Sequence, residues 1–143
     1  MKRLKRLIPA MLMLVLMVCC MTFSACALVP LAGHYQLYYI EYTDASGSYM
    51  ILAGEGEGYL PTDLVEATFY GDGTMEMSTL LYSTDNVKQV VKGTWDSARC
   101  SGVNVTVDGE TVVWIRSLKG LAFELLAEDG TLMMIYLRKT SII

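Results

Sequence analysis

The sequence predicts an all-β fold: an antiparallel meander of about eight to nine strands curled into a barrel, flattened barrel or sandwich, preceded by an N-terminal signal helix. Three observations carry this reading. From Gly33 onward apolar and polar residues alternate with period two, the spacing of a half-buried strand. Turn signals separate these runs at about the eight-to-twelve-residue interval of sandwiches and barrels. Asp-Gly stands between apolar runs three times, in FYGDGTMEM, VTVDGETVVWI and ELLAEDGTLMMIYL. That dipeptide suits the left-handed backbone of tight primed turns, whose twist matches the strands they join, so consecutive strands are expected to be antiparallel neighbours.

Ahead of the strands lies a basic start, MKRLKRL, and then LIPAMLMLVLMVCCM, an unbroken apolar stretch of fifteen at residues 7–21. At about 1.5 Å per residue those fifteen span roughly 22 Å, short of a hydrocarbon core of about 30 Å, so a spanning helix must recruit Thr22 to Leu31 as well. A signal segment needs no such extension.

The first strand is expected at residues 34–43, where HYQLYYIEY carries four tyrosines, a strand-favouring residue. Strict alternation puts Gln36, Tyr38 and Tyr42 on one face, a flat amphipathic surface suited to a glycan or protein partner; the plainer reading is strand propensity alone. A second strand is expected at 48–53. The GEGEG stretch after it, Gly54 to Gly58, is a flexible acidic connection or a flap at a barrel mouth.

Strands then follow at 64–70, 74–82, 87–96, 102–107, 110–117, 121–127 and 131–139. Alternation turns Val65, Ala67, Phe69, Met75, Met77, Val103, Val105, Val107, Phe123, Leu125, Met133, Ile135 and Leu137 inward. Glu66, Thr68, Glu76, Ser78, Asn104, Thr106 and Glu124 fall on the wet face. The GDGT and EDGT stretches read as turns rather than calcium loops, because a calcium loop needs oxygen ligands spread over about twelve positions. Met75 and Met77, with Met133 or Met134, offer a soft-donor set of the type Cu(I) accepts; core filling by flexible side chains is the plainer account, and no metal is assigned.

Chemistry is thinly signalled. His34 is the one histidine, so no site needing two can form and no Ser/His/Asp arrangement can be nominated. The expectation is a non-enzymatic protein with no catalytic residue and no cofactor. Without residues 1–25 the chain has seven Lys and Arg against fifteen Asp and Glu, a formal charge of −8. That excess repels phosphate backbones and anionic headgroups, which disfavours nucleic-acid partners and membrane attachment by net charge.

The residues Phe23-Ser24-Ala25-Cys26 resemble the lipobox of bacterial lipoproteins. The resemblance implies that Cys26 is acylated, with palmitate-class chains, and becomes the new N-terminus. It implies a protein lipid-anchored in the cell membrane on its extracytoplasmic face, where two or three acyl chains hold indefinitely at about 0.8 kcal/mol per buried methylene. The chain then divides into a signal peptide (1–25), a short tether (26–32) and a β-domain (33–140). The tether, CALVPLA, reaches at most about 25 Å. With Cys19 and Cys20 in the leader and Cys26 acylated, Cys100 has no thiol to pair with and reads as a turn or strand-end residue.

Gly33-His34-Tyr35 opening the first strand, Gly93-Thr94-Trp95 and the Asp-Gly hairpins resemble the small lipocalin-like domains of bacterial lipoproteins. That resemblance implies a lipocalin-like barrel binding a small apolar ligand, and no ligand residues transfer with it. A surface module with a filled core is the alternative.

Overall fold

A computed structural model describes residues 30–141, apart from 82, 100, 101 and 118. The leader, Cys26 and Cys100 lie outside the described residues. The described chain forms nine strands: β1 Gly33–Asp44, β2 Gly47–Leu52, β3 Val65–Phe69, β4 Thr74–Thr79, β5 Gln89–Arg99, β6 Gly102–Val107, β7 Glu110–Arg116, β8 Gly120–Leu126 and β9 Leu132–Ser141. A short 3-10 turn, Thr62–Leu64, precedes β3.

Every strand pairing is antiparallel, in the order β2-β1-β3-β4-β5-β6-β7-β8-β9, and β1 also pairs with β9. That last pairing closes β1 and β3–β9 into an eight-strand barrel. The ninth strand is accounted for by the long β1. Gly33–Gln36 pairs with β3, while Tyr39–Asp44 pairs with β2 on the same edge. Thus β2 and β3 run one after the other along β1, interrupted by residues 53–64, which the Ala53–Leu60 bridge ties off. The GEGEG stretch lies in this excursion and connects the two.

The predicted inward positions form the interior. Val65, Phe69, Val103 and Ile135 are fully buried, with Ala67, Met75, Val105, Phe123 and Leu137 nearly so, and Ile40 of β1, outside the predicted set, is fully buried with them. Each such side chain of Val, Leu, Ile, Phe or Met size stabilises the fold by about 1.5–3 kcal/mol. Tyr35 lies at the end where the chain enters; its hydroxyl donates to the Leu31 carbonyl at 2.6 Å and its ring meets Phe69 edge-on at 5.7 Å.

Two sequence expectations need correction. First, only Asp108-Gly109 is a two-residue primed turn, both residues having positive φ (51° and 83°). The other two Asp-Gly pairs sit in three-residue loops closed by a left-handed glycine, Gly73 and Gly130. There the aspartate accepts a hydrogen bond from the backbone N–H of Thr74 or Thr131, each at 2.9 Å.

Second, β1 does not alternate throughout. Leu37 stands opposite Leu137 and Tyr39 opposite Tyr136, leaving Tyr38 as an extra residue in a bulge. Beyond it the faces exchange. Ile40 and Tyr42 turn inward opposite Ile135 and Met133, and Tyr39 turns outward. Tyr42 therefore packs against the core and does not share a face with Gln36.

At Gly120, a Cβ would collide with the Leu137 carbonyl oxygen. Because that obstacle is backbone, Gly120→Ala must pry β8 from β9, and overpacking of this kind costs about 1–3 kcal/mol; a thermal midpoint equal to wild type would contradict the close approach. Burial pushes the Tyr35 phenol up to about 12, against the opposing charge of Arg116. Its folded pKa exceeds the unfolded value of about 10, so this contribution is intact below that pH and is lost as pH rises through about 12. Tyr35→Phe should be less stable near neutrality by about 1 kcal/mol for the lost hydrogen bond. It should also lose less stability than wild type across that alkaline window in denaturant titrations.

Candidate functional site

The interior is filled at one end and open at the other. Tyr35, Phe69, Trp114 and Phe123 form a chain of ring contacts: Phe69 meets Trp114 edge-on at 5.6 Å, and Trp114 stacks on Phe123 at 4.3 Å. Trp95 joins from β5, edge-on to Phe69 at 5.9 Å, its indole N–H bonded to the Tyr70 carbonyl. These rings plug the barrel near the end where β1 starts.

Beyond the plug the wall is incomplete. Among the described residues, β7 and β8 pair only at Ile115–Ala122 and Arg116–Leu121. The ladder ends at the stacked Trp114 and Phe123, and the strands part above them. The result is a cleft of about 330 Å³, lined chiefly by Met75, Met77, Val107, Val112, Trp114 and Leu125. Val105 and Val112 are cross-strand partners on the same inward face, yet Val105 is 4% exposed and Val112 53%. The difference is the missing wall opposite Val112. The charged residues lining the cleft are Asp108, Glu110 and Glu124.

A second concavity, of about 510 Å³, lies on the outer wall. Its floor is the stacked pair Tyr39–Tyr136, centroids 4.1 Å apart, with Ala122 beside it. Tyr38 meets Tyr39 edge-on at 5.3 Å, and the Arg138 guanidinium lies 5.9 Å from the Tyr38 ring. Burial, with the neighbouring Tyr136, raises the Tyr39 phenol.

The structure separates the tyrosine surface expected from sequence. Tyr38 borders the outer groove, but Tyr42 stacks on Tyr49 at 5.0 Å on the other face of β1. Gln36 is engaged in a cross-strand network, donating to Glu66 at 2.9 Å, and Lys88 donates to the second Glu66 oxygen at 3.0 Å. Burial raises the Glu66 pKa, but the bonds from Gln36 and Lys88 outweigh it and hold the carboxyl below its usual range. His34 shares this outer wall, 2.9 Å from the Thr68 hydroxyl.

Met75 and Met77 do share a face and line the cleft, whereas Met134 lies on the opposite face of β9 from Met133, and Met133 is not among the lining residues. Sequence reasoning missed Tyr39 and Tyr136 as a pair, and Val112 and Trp114 as lining residues. A signal for the first was present: Leu37 and Ile40 are three apart, so both can be buried only if the strand bulges.

No family model, no curated protein and no solved structure matches this chain.

The paired valines test the opening. Val112→Ala should change stability by no more than about 0.5 kcal/mol, as at an exposed site, while Val105→Ala should cost a kcal/mol or more for the cavity it leaves. Equal costs in denaturant titrations would mean that Val112 is covered.

Proposed function

We propose that the chain is a non-enzymatic, lipocalin-like lipoprotein, anchored through a lipid on Cys26 to the extracytoplasmic face of the cell membrane. Its barrel takes up a small apolar ligand in the cleft between β7 and β8. One observation carries the ligand reading: inward-facing apolar side chains, Val112 above all, are left open to solvent at the barrel mouth. Hydrated apolar surface in a concave site is the driving force for such a ligand, and the volume falls at the low end of the about 300–1,000 Å³ of small-molecule pockets. The carboxylates of Asp108, Glu110 and Glu124 at the rim disfavour a ligand with an anionic head.

A second reading rests on the outer groove. Stacked Tyr39 and Tyr136, bordered by Tyr38 and Arg138, offer rigid amphipathic rings to a glycan or protein partner at low entropic cost.

Native and denaturing mass spectra of residues 30–143, before and after exposure to a lipid extract, distinguish the two. An excess mass present only under native conditions, and lost in Val112→Trp, supports the cleft. No uptake by either protein removes the ligand reading and directs attention to Tyr39 and Tyr136. For the anchor, Cys26→Ala should appear in the soluble fraction or keep its leader; a variant that stays membrane-bound and fully processed contradicts it.

A further inference from the structure

A net charge of −8 conceals a segregation of charge along the barrel. Residues 26–143 contain seven cations: Lys88, Lys92, Arg99, Arg116, Lys119, Arg138 and Lys139. Four of them, Arg116, Lys119, Arg138 and Lys139, come from the end of β7, the turn after it and the end of β9. Register brings these segments together. Arg116 stands opposite Leu121, Gly120 opposite Arg138, and Arg138 opposite Gln36 near the start of β1. The Lys139 N–H donates to the Lys119 carbonyl at 3.4 Å, and the Lys139 ammonium lies 5.8 Å from the Tyr35 ring centroid. Burial, and then the Arg116 charge, hold the Lys139 pKa below the ordinary lysine range. Glu66, two strands away, is already bonded by Gln36 and Lys88.

Two acids lie at the basic end as well, Asp72 in the β3–β4 turn and Asp96 near the end of β5, accepting hydrogen bonds from Thr74 and Asn104. The larger group of acids lies at the opposite end. Asp44 ends β1, Asp108 and Glu110 flank the β6–β7 turn, and Glu128 and Asp129 form the β8–β9 turn. A ten-residue strand such as β9 spans roughly 33 Å, several Debye lengths of about 8 Å at physiological salt. The acidic end therefore does not cancel the basic one, and a surface meeting the basic end experiences its local charge.

We propose that this basic end docks on the bilayer, its cations against anionic phospholipid headgroups. Two features commit it to that occupant. The chain enters the barrel at this end, at Leu31, ten residues after the end of the apolar run 7–21, so the basic end is the one its tether presents to a membrane. Its charge is also the complement of an anionic headgroup layer. Docking in this pose turns the mouth between β7 and β8 away from the lipid. The proposal rests on the membrane-tether reading and is independent of what the cleft holds.

The test reconstitutes the full-length chain in vesicles of phosphatidylcholine alone, or of equal parts phosphatidylcholine and phosphatidylglycerol, and follows hydrogen–deuterium exchange of residues 116–120 and 136–141. Exchange should slow in the anionic vesicles and recover at high salt. Each cation near an anionic surface shifts the docked population on the order of fivefold, so Lys119→Gln with Arg138→Gln should lower the docked ratio on the order of 25-fold. Lys92→Gln, on exposed β5 surface beside Glu76, should leave it unchanged. If the double variant unfolds, Lys119→Gln alone is read. Equal exchange in the two vesicle types, or slowing that survives removal of the charges, overturns the proposal. Flotation with phosphatidylcholine vesicles reports the anchor separately: its loss counts against the tether, while salt-sensitive slowing in anionic vesicles still reports docking.

Discussion

Pairing between β1 and β9 is the constraint on which the rest of the molecule depends, because without it eight strands would make an open sheet with two exposed edges. Nine positions of β1, from His34 to Thr43, find partners on β9. That register also decides the faces. The bulge at Tyr38 lets Leu37 and Ile40 both reach the interior, and by doing so it sends Tyr39 outward onto Tyr136 and Tyr42 inward toward Met133. The same register sets Arg138 opposite Gln36, beside the entering chain. Core, outer groove and basic end thus follow from one pairing.

Closure on this side has a counterpart opposite. The interior at the entering end is crowded by Tyr35, Phe69, Trp114 and Phe123, and two of those rings stand face to face where the β7–β8 ladder stops. Above them no described side chain covers Val112, although it belongs to the inward face. Large rings fill half of the barrel, and Met and Val line the other half around open space. One sequence pattern, alternating apolar residues, therefore produces both a plug and a cleft, and the difference lies in strand separation.

Much of this was legible in the sequence, and for local reasons. Period two located the strands within a few residues, and β6 on the same residues. The inward list from Val65 to Leu137 forms the core, with Met77, Val107 and Leu125 half-buried at the mouth. What failed was what depends on partners. The Asp-Gly turns at Gly73 and Gly130 gain a third loop residue because of where their strands pair, and strict alternation through HYQLYYIEY ignores the spacing of Leu37 and Ile40. The parting of β7 from β8 left no mark in local pattern, since VVWI reads as an ordinary strand whether or not a neighbour covers it. Charge was misleading as a sum: the cations are few, but register gathers four of them at one end.

The arrangement on which the cleft, the outer groove and the basic end all stand is a barrel closed between β1 and β9 and open between β7 and β8 above Trp114 and Phe123. Interstrand backbone NOEs test it most directly. Contacts are expected along β1–β9 from His34 to Thr43, and across β7–β8 only at Ile115–Ala122 and Arg116–Leu121. Contacts continuing through Val113–Glu124 and Val112–Leu125 would mean that the wall closes there and that no cleft exists for a ligand to enter.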